Sequence, residues 1–365
     1  MSVFRSRPAL RWLVPSAAAV VVIGGGAAAG TIVASADPSL PERSAAQLLV
    51  DVQNAKVDGL SGTIVESADL GLGALGNLAQ SSGDLTALLG GSNTARVWYA
   101  GETKARIALI GTQGETDVIR NGSDVYVWKS TEKKASHLTI PAGAADKHEQ
   151  LSQVPSTPQE AADAALAAID PTTSVSTTGA AKVAGRDAYE LVLSPKDTGS
   201  LIGQVRLAID AEKHIPLRVD VYAKNATSPA VRVAFQQISF AVPDNEQFVF
   251  KAPPGTTVTE GSVADIEKQH QAAAEKAAAE KPKLSEEPKL VGKGWTTIVS
   301  AKLPKTDGSA ESSQAAGLVG MLPEVSGSWG KGNLFAGTLF SVLVTDDGRV
   351  FAGAVTPEKL YEAAA

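Results

Sequence analysis

The chain has 365 residues, a formal net charge of -6 and 20% charged residues, which is typical of a globular protein with more than one domain. Only 5% of the residues are aromatic, so the cores are expected to be aliphatic. No lysine- and arginine-rich run is long enough for a nucleic-acid interface, and nucleic acid is excluded as a partner. The chain contains no cysteine, which excludes disulfides and a cysteine-linked lipid anchor.

The N-terminal segment combines three arginines with a long run of small and apolar residues. Ala34 and Ala36 fit the small-residue positions of a signal-peptidase site, which predicts a signal peptide over residues 1–36. The alternative is an uncleaved anchor, because the apolar stretch from Leu13 is long enough to cross a bilayer. Both interpretations predict an extracytoplasmic protein, either secreted or tethered to the outer face of the cytoplasmic membrane.

A short helix is expected first, with Ser44 as its N-cap and apolar residues at helical spacing up to Ala55. From Gly59 onward the apolar residues alternate with period two, which predicts β-strands. The first group covers residues 63–66, 96–99, 104–110, 116–120 and 125–128. Asn121-Gly122, before the last of these, is a strong hairpin signal. No helix of crossover length separates these strands, so antiparallel pairing is expected.

An Ala-rich helix over residues 158–169 separates this group from a second one. The second group of predicted strands covers residues 183–193, 204–210, 217–223 and 230–240. In the last of them the apolar parity changes at Gln236-Gln237, which predicts a bulge that curves the sheet. One antiparallel β domain with a curved sheet is therefore expected over residues 42–260.

The remainder of the chain divides into a linker and a small module. Residues 261–289 form an Ala/Glu/Lys-rich tract without an apolar stripe, which indicates a linker. Residues 290–365 carry strand patterns at 294–300, 338–344 and 350–355, followed by a helix that starts near Pro357. We expect a small β-rich C-terminal module.

Motifs for catalysis and metal binding are absent or fail on their context. Residues 71–76 read GxGxxG, but a Gly/Ser-rich stretch and an antiparallel strand follow where a dinucleotide-binding unit needs a parallel strand. The four histidines have no metal-ligand spacing, and no hydrolase motif is present. We therefore expect a non-enzymatic protein without a metal or cofactor.

The segment from Leu70 to Gly91 places leucines among glycine, serine and asparagine residues. It is interpreted either as a lid over an apolar cavity or as an ordinary loop that tucks its leucines into the core. The leucines assigned to the lid are Leu70, Leu72, Leu75, Leu78, Leu85, Leu88 and Leu89.

Three segments, at residues 184–196, 209–219 and 248–255, together resemble the LolA/LolB lipoprotein-carrier superfamily, which includes RseB-type regulators and actinobacterial lipid-binding proteins. The resemblance implies an α+β fold, a curved antiparallel half-barrel with helices on its concave side and an apolar cavity for acyl chains. Trp98 and Trp128 are expected at the cavity rim. The residues expected to line the cavity are Ile107, Leu109, Val118, Leu191, Leu193, Val205, Leu207, Val219, Val221, Val233 and Phe235.

Two functions follow from this resemblance. The first is an extracytoplasmic binding protein that holds a lipid or acylated ligand in the cavity. The alternative is an RseB-like regulator of envelope signalling, which contacts a membrane-bound partner of the anti-sigma type. The resemblance implies the second function by analogy of domain position only, since no residue motif carries it.

Overall fold

The computed structural model describes residues 40–71, 90–111, 114–140, 171–262, 288–302, 317 and 319–365. These residues form two separate sheets, and two α-helices lie wholly within the described ranges, α1 (Ala45–Asn54) and α2 (Pro357–Ala364). The predicted signal segment, the Ala-rich helix at 158–169, most of the leucine-rich segment and most of the linker lie outside the described residues. None of the described helices is long and apolar enough to span a membrane.

The larger sheet contains twelve strands. In chain order they are β1 (Gly59–Asp69), β2 (Gly90–Ala100), β3 (Lys104–Ile110), β4 (Glu115–Asn121), β5 (Asp124–Lys129), β6 (Lys134–Thr139), β7 (Thr173–Val183), β8 (Arg186–Pro195), β9 (Ile202–Asp210), β10 (Pro216–Ala223), β11 (Val231–Ser239) and β12 (Thr257–Ser262).

The spatial order is β12-β6-β5-β4-β3-β2-β1-β11-β10-β9-β8-β7, so two antiparallel meanders meet where β1 pairs with β11. The sheet is curved and open, and β7 and β12 form its two edges. β12 joins β6 in parallel, whereas the other described strand pairs of this sheet are antiparallel. The predicted α+β half-barrel is confirmed.

Local expectations were accurate where side-chain patterning is strong. The predicted N-cap is confirmed: Ser44 caps α1 through a capping box with Gln47, an arrangement that a Ser at the N-cap favours. The predicted bulge is present: Thr63 pairs with Gln237 and Ile64 with Phe235, which leaves Gln236 as the extra residue of β11.

One predicted turn is displaced by one residue. The β4–β5 hairpin turns at Gly122-Ser123, because Asn121 still pairs with Asp124. The strand predicted over residues 183–193 begins later than expected: Ala184 and Gly185, both at positive φ, form the β7–β8 turn, and Arg186 is the first residue of β8. Positive φ at both central residues matches the right-handed twist of the flanking strands.

Weakly patterned edge strands were missed. β7 is rich in Ser and Thr and largely exposed, so it carries no alternating signal. The segment at 248–255, which carries part of the family resemblance, is not a strand: a 3-10 helix at Asn245–Phe248 and an irregular segment follow β11, and β12 begins only at Thr257. Phe248 lies in the 3-10 helix with its side chain buried, so it is not part of an alternating strand pattern.

One face of β8–β11 carries a ladder of paired charges. Asp220 is fully buried and accepts hydrogen bonds from Arg232 Nε at 2.6 Å and Arg232 Nη2 at 3.0 Å. Arg218 donates to Glu190 at 2.6 Å, and its Nε lies 3.0 Å from Asp220. Hydrogen bonding to Asp220 raises the pKa of Arg232. We call this side of the sheet the charged face.

The smaller sheet has the order β13-β14-β18-β17-β16-β15. Its strands are β13 (Lys289–Val291), β14 (Ile298–Lys302), β15 (Glu324–Gly327), β16 (Gly330–Ala336), β17 (Ser341–Thr345) and β18 (Arg349–Gly353). Leu343, Phe351, Val355 and Leu360 form its core under α2. Residues 294–296 form a 3-10 turn rather than the expected strand start, and β13, β15 and β16 had no predicted counterpart.

The charge ladder predicts a large stability effect. Asp220→Ala should lower the free energy of unfolding by about 3 kcal/mol, because it leaves two guanidinium groups without their buried carboxylate. Chemical denaturation measures this loss. Glu132→Ala is the control, because Glu132 and Lys129 form an exposed pair that should contribute less than about 1 kcal/mol. Equal losses in both variants would contradict the ladder's role.

Candidate functional site

The face opposite the charged face carries aliphatic side chains in continuous rows, and we call it the apolar face. Residues that pair directly across antiparallel strands project to the same side. One such row runs through Leu191, Leu207, Val219 and Val233 on four adjacent strands. A second row joins Leu193, Val205 and Val221.

The rows continue across the other meander. Val97 pairs with Ile107, which pairs with Val118, and Leu109 lies opposite Ala95. Ten of the predicted lining residues therefore share one face of the sheet. They are Ile107, Leu109, Val118, Leu191, Leu193, Val205, Leu207, Val219, Val221 and Val233.

Helix α1 covers only one end of the apolar face. Leu48, fully buried, packs against Tyr189, Leu191 and Ile209 on β8 and β9. Farther along the sheet, eight of the ten predicted residues are half-buried, whereas Leu191 and Val233 are buried. The described part of the apolar face therefore retains accessible aliphatic surface beyond α1.

Three predicted residues do not join these rows. Trp98 and Trp128 alternate with Val97 and Val127 and point to the charged face, where the Arg106 guanidinium lies 5.1 Å from the Trp98 ring. Phe235 packs instead in the cluster that contains Leu217. Strand alternation explains why the two tryptophans lie on the charged face, because adjacent residues of a strand project to opposite faces.

A carboxylate on the apolar face was not assigned from the sequence. Glu66 of β1 pairs with Val233 in register and is 1% exposed. The signal was present, because period two places Glu66 on the same side as Ile64. A buried carboxylate requires compensating polar contacts, so Glu66 gives this aliphatic face a defined polar position.

A separate cleft of about 390 Å³ lies at the β2–β3 turn, away from the apolar rows. Its lining includes Ala100, Lys104, Val242 and Phe248. Lys104 Nζ donates to the side chain of Asn245 at 2.7 Å across this region. The mixed polar lining differs from what an acyl chain requires.

The leucine-rich segment leaves β1 next to the C-terminal module. The carbonyl of Leu70 accepts a hydrogen bond from the amide of Thr338 at 3.0 Å. Gly71 has φ +67, and a Cβ there would lie 2.6 Å from Thr338 Oγ1. The other six leucines assigned to the lid lie outside the described residues.

Backbone hydrogen bonds also join the C-terminal module to the β8–β9 connection. The Leu201 amide donates to the Ala354 carbonyl at 2.9 Å, and the Thr356 amide donates to the Gly199 carbonyl at 3.0 Å. Ser200 and Val355, between them, are buried. Trp295 Nε1 donates to Thr173 Oγ1 at 2.7 Å. The module is therefore docked on the end of the sheet from which the leucine-rich segment departs.

Within the described ranges, no group of three or more His, Asp or Glu side chains is placed to hold a metal ion. The chemistry that the apolar face offers is hydrophobic contact with one buried carboxylate, Glu66. This arrangement suits binding of an apolar group.

These features define a half-barrel protein with an apolar face and a docked C-terminal β module. Residues 99–254 match the family model of the MucB/RseB N-terminal domain. The match covers less than half of the chain and confirms the predicted resemblance to the superfamily that includes RseB-type regulators. No curated protein sequence matches the chain significantly.

Several solved structures are similar at low identity. The MucA/MucB complex of Pseudomonas aeruginosa includes a chain that is 15% identical, with a TM-score of 0.41, covering 88% of this chain and 96% of that one. A LolA superfamily protein from Nitrosomonas europaea is 9% identical, with a TM-score of 0.21, covering 57% of this chain and 99% of that one. Likeness at this level says nothing about ligand or partner.

The contact between Trp295 and Thr173 can be measured directly. Trp295→Phe and Thr173→Val each remove one side of the hydrogen bond while keeping most of the side-chain volume. In a double-mutant cycle their coupling should be about 1 kcal/mol, the net contribution of a hydrogen bond. A coupling of zero in denaturation experiments would contradict docking of the module at this point.

Proposed function

We propose that this protein is an extracytoplasmic binding protein that holds a lipid or acylated molecule on the apolar face of the half-barrel. The observation that carries the proposal is the set of aliphatic rows that continue beyond α1 and stay half-buried. Apolar burial contributes about 0.8 kcal/mol per methylene group, so a long acyl chain can be bound without any charged contact.

Two further observations support the location that this proposal requires. The export signal predicted over residues 1–36 and the match to the MucB/RseB model support a location outside the cytoplasm.

A matched pair of substitutions on β2 tests ligand binding. Val97→Trp places a bulky ring on the apolar face, whereas Arg96→Trp places the same ring at an exposed position on the charged face. Val97→Trp should weaken binding of a fluorescent C16 fatty acid at least about tenfold, which corresponds to about 1.4 kcal/mol. Arg96→Trp should bind as the unmodified protein does.

Circular dichroism and thermal melting establish that both variants fold. Native mass spectrometry of the protein purified from its own host provides an independent measurement, because a bound lipid adds a defined mass. Equal fatty-acid affinity in the two variants, or no lipid in the host-purified protein, would rule out the apolar face as the binding site.

The second candidate function is regulation of envelope signalling by contact with a membrane-bound, anti-sigma-type protein. The observations in its favour are the docked C-terminal module and the match to a family of RseB-type regulators. The module also exposes an apolar pair, because Leu290 and Val299 lie opposite each other and are 66% and 43% exposed. Their side of the sheet is opposite the core under α2.

The regulator function predicts that the double variant Leu290→Glu/Val299→Glu loses its membrane-bound partner. Charged groups in place of the exposed apolar pair should abolish crosslinking of the full chain to the partner in host membranes. Val242→Glu is the control, because Val242 is 60% exposed but belongs to the half-barrel. Unchanged crosslinking in the double variant would leave the lipid-binding function as the better explanation.

A further inference from the structure

The edge strand β12 is held to the sheet by little burial. It runs parallel to β6 over six residue pairs from Thr257–Lys134 to Ser262–Thr139. Its residues are mostly exposed, and Val258 retains 43% of its accessible surface. A short, exposed, parallel edge pairing is weak by itself, so specific side-chain contacts have a large influence on whether it stays closed.

His137 of β6 makes two such contacts through opposite sides of its ring. Nδ1 lies 2.7 Å from Glu260 Oε2 on β12, and Nε2 lies 2.9 Å from Asp124 Oδ1 on β5. A carboxylate can only accept hydrogen bonds, so both ring nitrogens must carry a proton for both contacts to form. Only the imidazolium form of His137 meets that condition.

An aromatic stack fixes the ring in this orientation. The His137 ring lies 4.3 Å from the Tyr126 ring at an interplanar angle of 10°. Tyr126 in turn stacks on Phe250 at 4.8 Å and 20°. Phe250 belongs to the segment that connects β11 to β12, so the stack holds this segment against β5 beside the His137 ring.

The charged groups that face His137 are Asp124 from β5 and Glu260 from β12. The hydrogen bond with Asp124 is the main cause that raises the pKa of His137 above its ordinary 6.5. Burial opposes this shift, and Glu260 adds to it. The side chain of His137 is 17% exposed, so the contacts are partly shielded from solvent.

We propose that His137 is a proton-dependent clasp that holds β12 against β6. When the ring is doubly protonated, it bridges β5 and β12 through two carboxylates. When it loses one proton, one nitrogen presents a lone pair to a carboxylate, and that contact becomes repulsive. β12 then loses its charged tie to the sheet.

The direction of the pH effect follows from the raised pKa. The stabilisation is fully present below the unfolded-state value of 6.5 and is lost as pH rises through the higher pKa of the folded protein. β12 is the last strand of the larger sheet before the chain continues to β13 of the C-terminal module. The clasp therefore controls where the connection to the module leaves the half-barrel. β12 is held more tightly against β6 at acidic pH and less tightly at basic pH.

Hydrogen exchange of the full chain, measured by mass spectrometry and corrected for the intrinsic pH dependence, tests the clasp. The β12 amides should lose at least about threefold in protection between about pH 6 and pH 8.5, the change that a modest pKa shift produces. The amides of β1, in the middle of the sheet, should not change. In His137→Gln, which does not titrate, protection of β12 should be independent of pH.

His214→Gln is the matched control, because His214 lies 4.0 Å from Asp51 and far from β12 in the sheet. It should keep the pH dependence of the unmodified protein. Glu260→Gln should reduce that dependence without unfolding the chain, because Glu260 is largely exposed. A flat pH profile for β12, or the same slope in His137→Gln as in the unmodified protein, would overturn the proposal.

Discussion

The pairing of β1 with β11 makes one sheet out of two meanders, and the apolar face depends on it. β1–β6 and β7–β11 are each built from neighbouring strands, whereas the β1–β11 pair joins residues far apart in sequence. A shift of one residue in this pairing would turn the aliphatic rows of the two halves to opposite sides. The bulge at Gln236 sets the register in which Ile64 and Glu66 lie beside Phe235 and Val233.

A continuous apolar face imposes a condition on the other side of the sheet. Polar residues that alternate with the aliphatic ones must be solvated or paired, and several are buried. Asp117 receives two hydrogen bonds from Arg106, and Asp220 receives two from Arg232. The 3-10 helix that ends at Phe248 covers part of this side, and Arg106 also donates to the carbonyl of Gln247 in this helix. The charged face is therefore a paired layer that supports the apolar face.

The C-terminal module and the apolar face meet at the same end of the sheet. Thr338 binds the end of β1, while Ala354 and Thr356 bind the connection before β9. A ligand on the apolar face and a partner on the module would then act on adjoining parts of one structure. Coupling between two such sites requires that each favour the same arrangement of the docked module.

The half-barrel was implied by the resemblance to the lipoprotein-carrier superfamily. Sequence patterning by itself determined the antiparallel strands, the capped first helix, the bulge and ten of the residues that share the apolar face. These features follow from local rules, because alternation, capping and turn chemistry depend on neighbouring residues. Tertiary structure alone decided that β12 pairs in parallel with β6 and that the module docks on the sheet. Long-range pairing and burial set these outcomes, and neither is encoded in a local pattern.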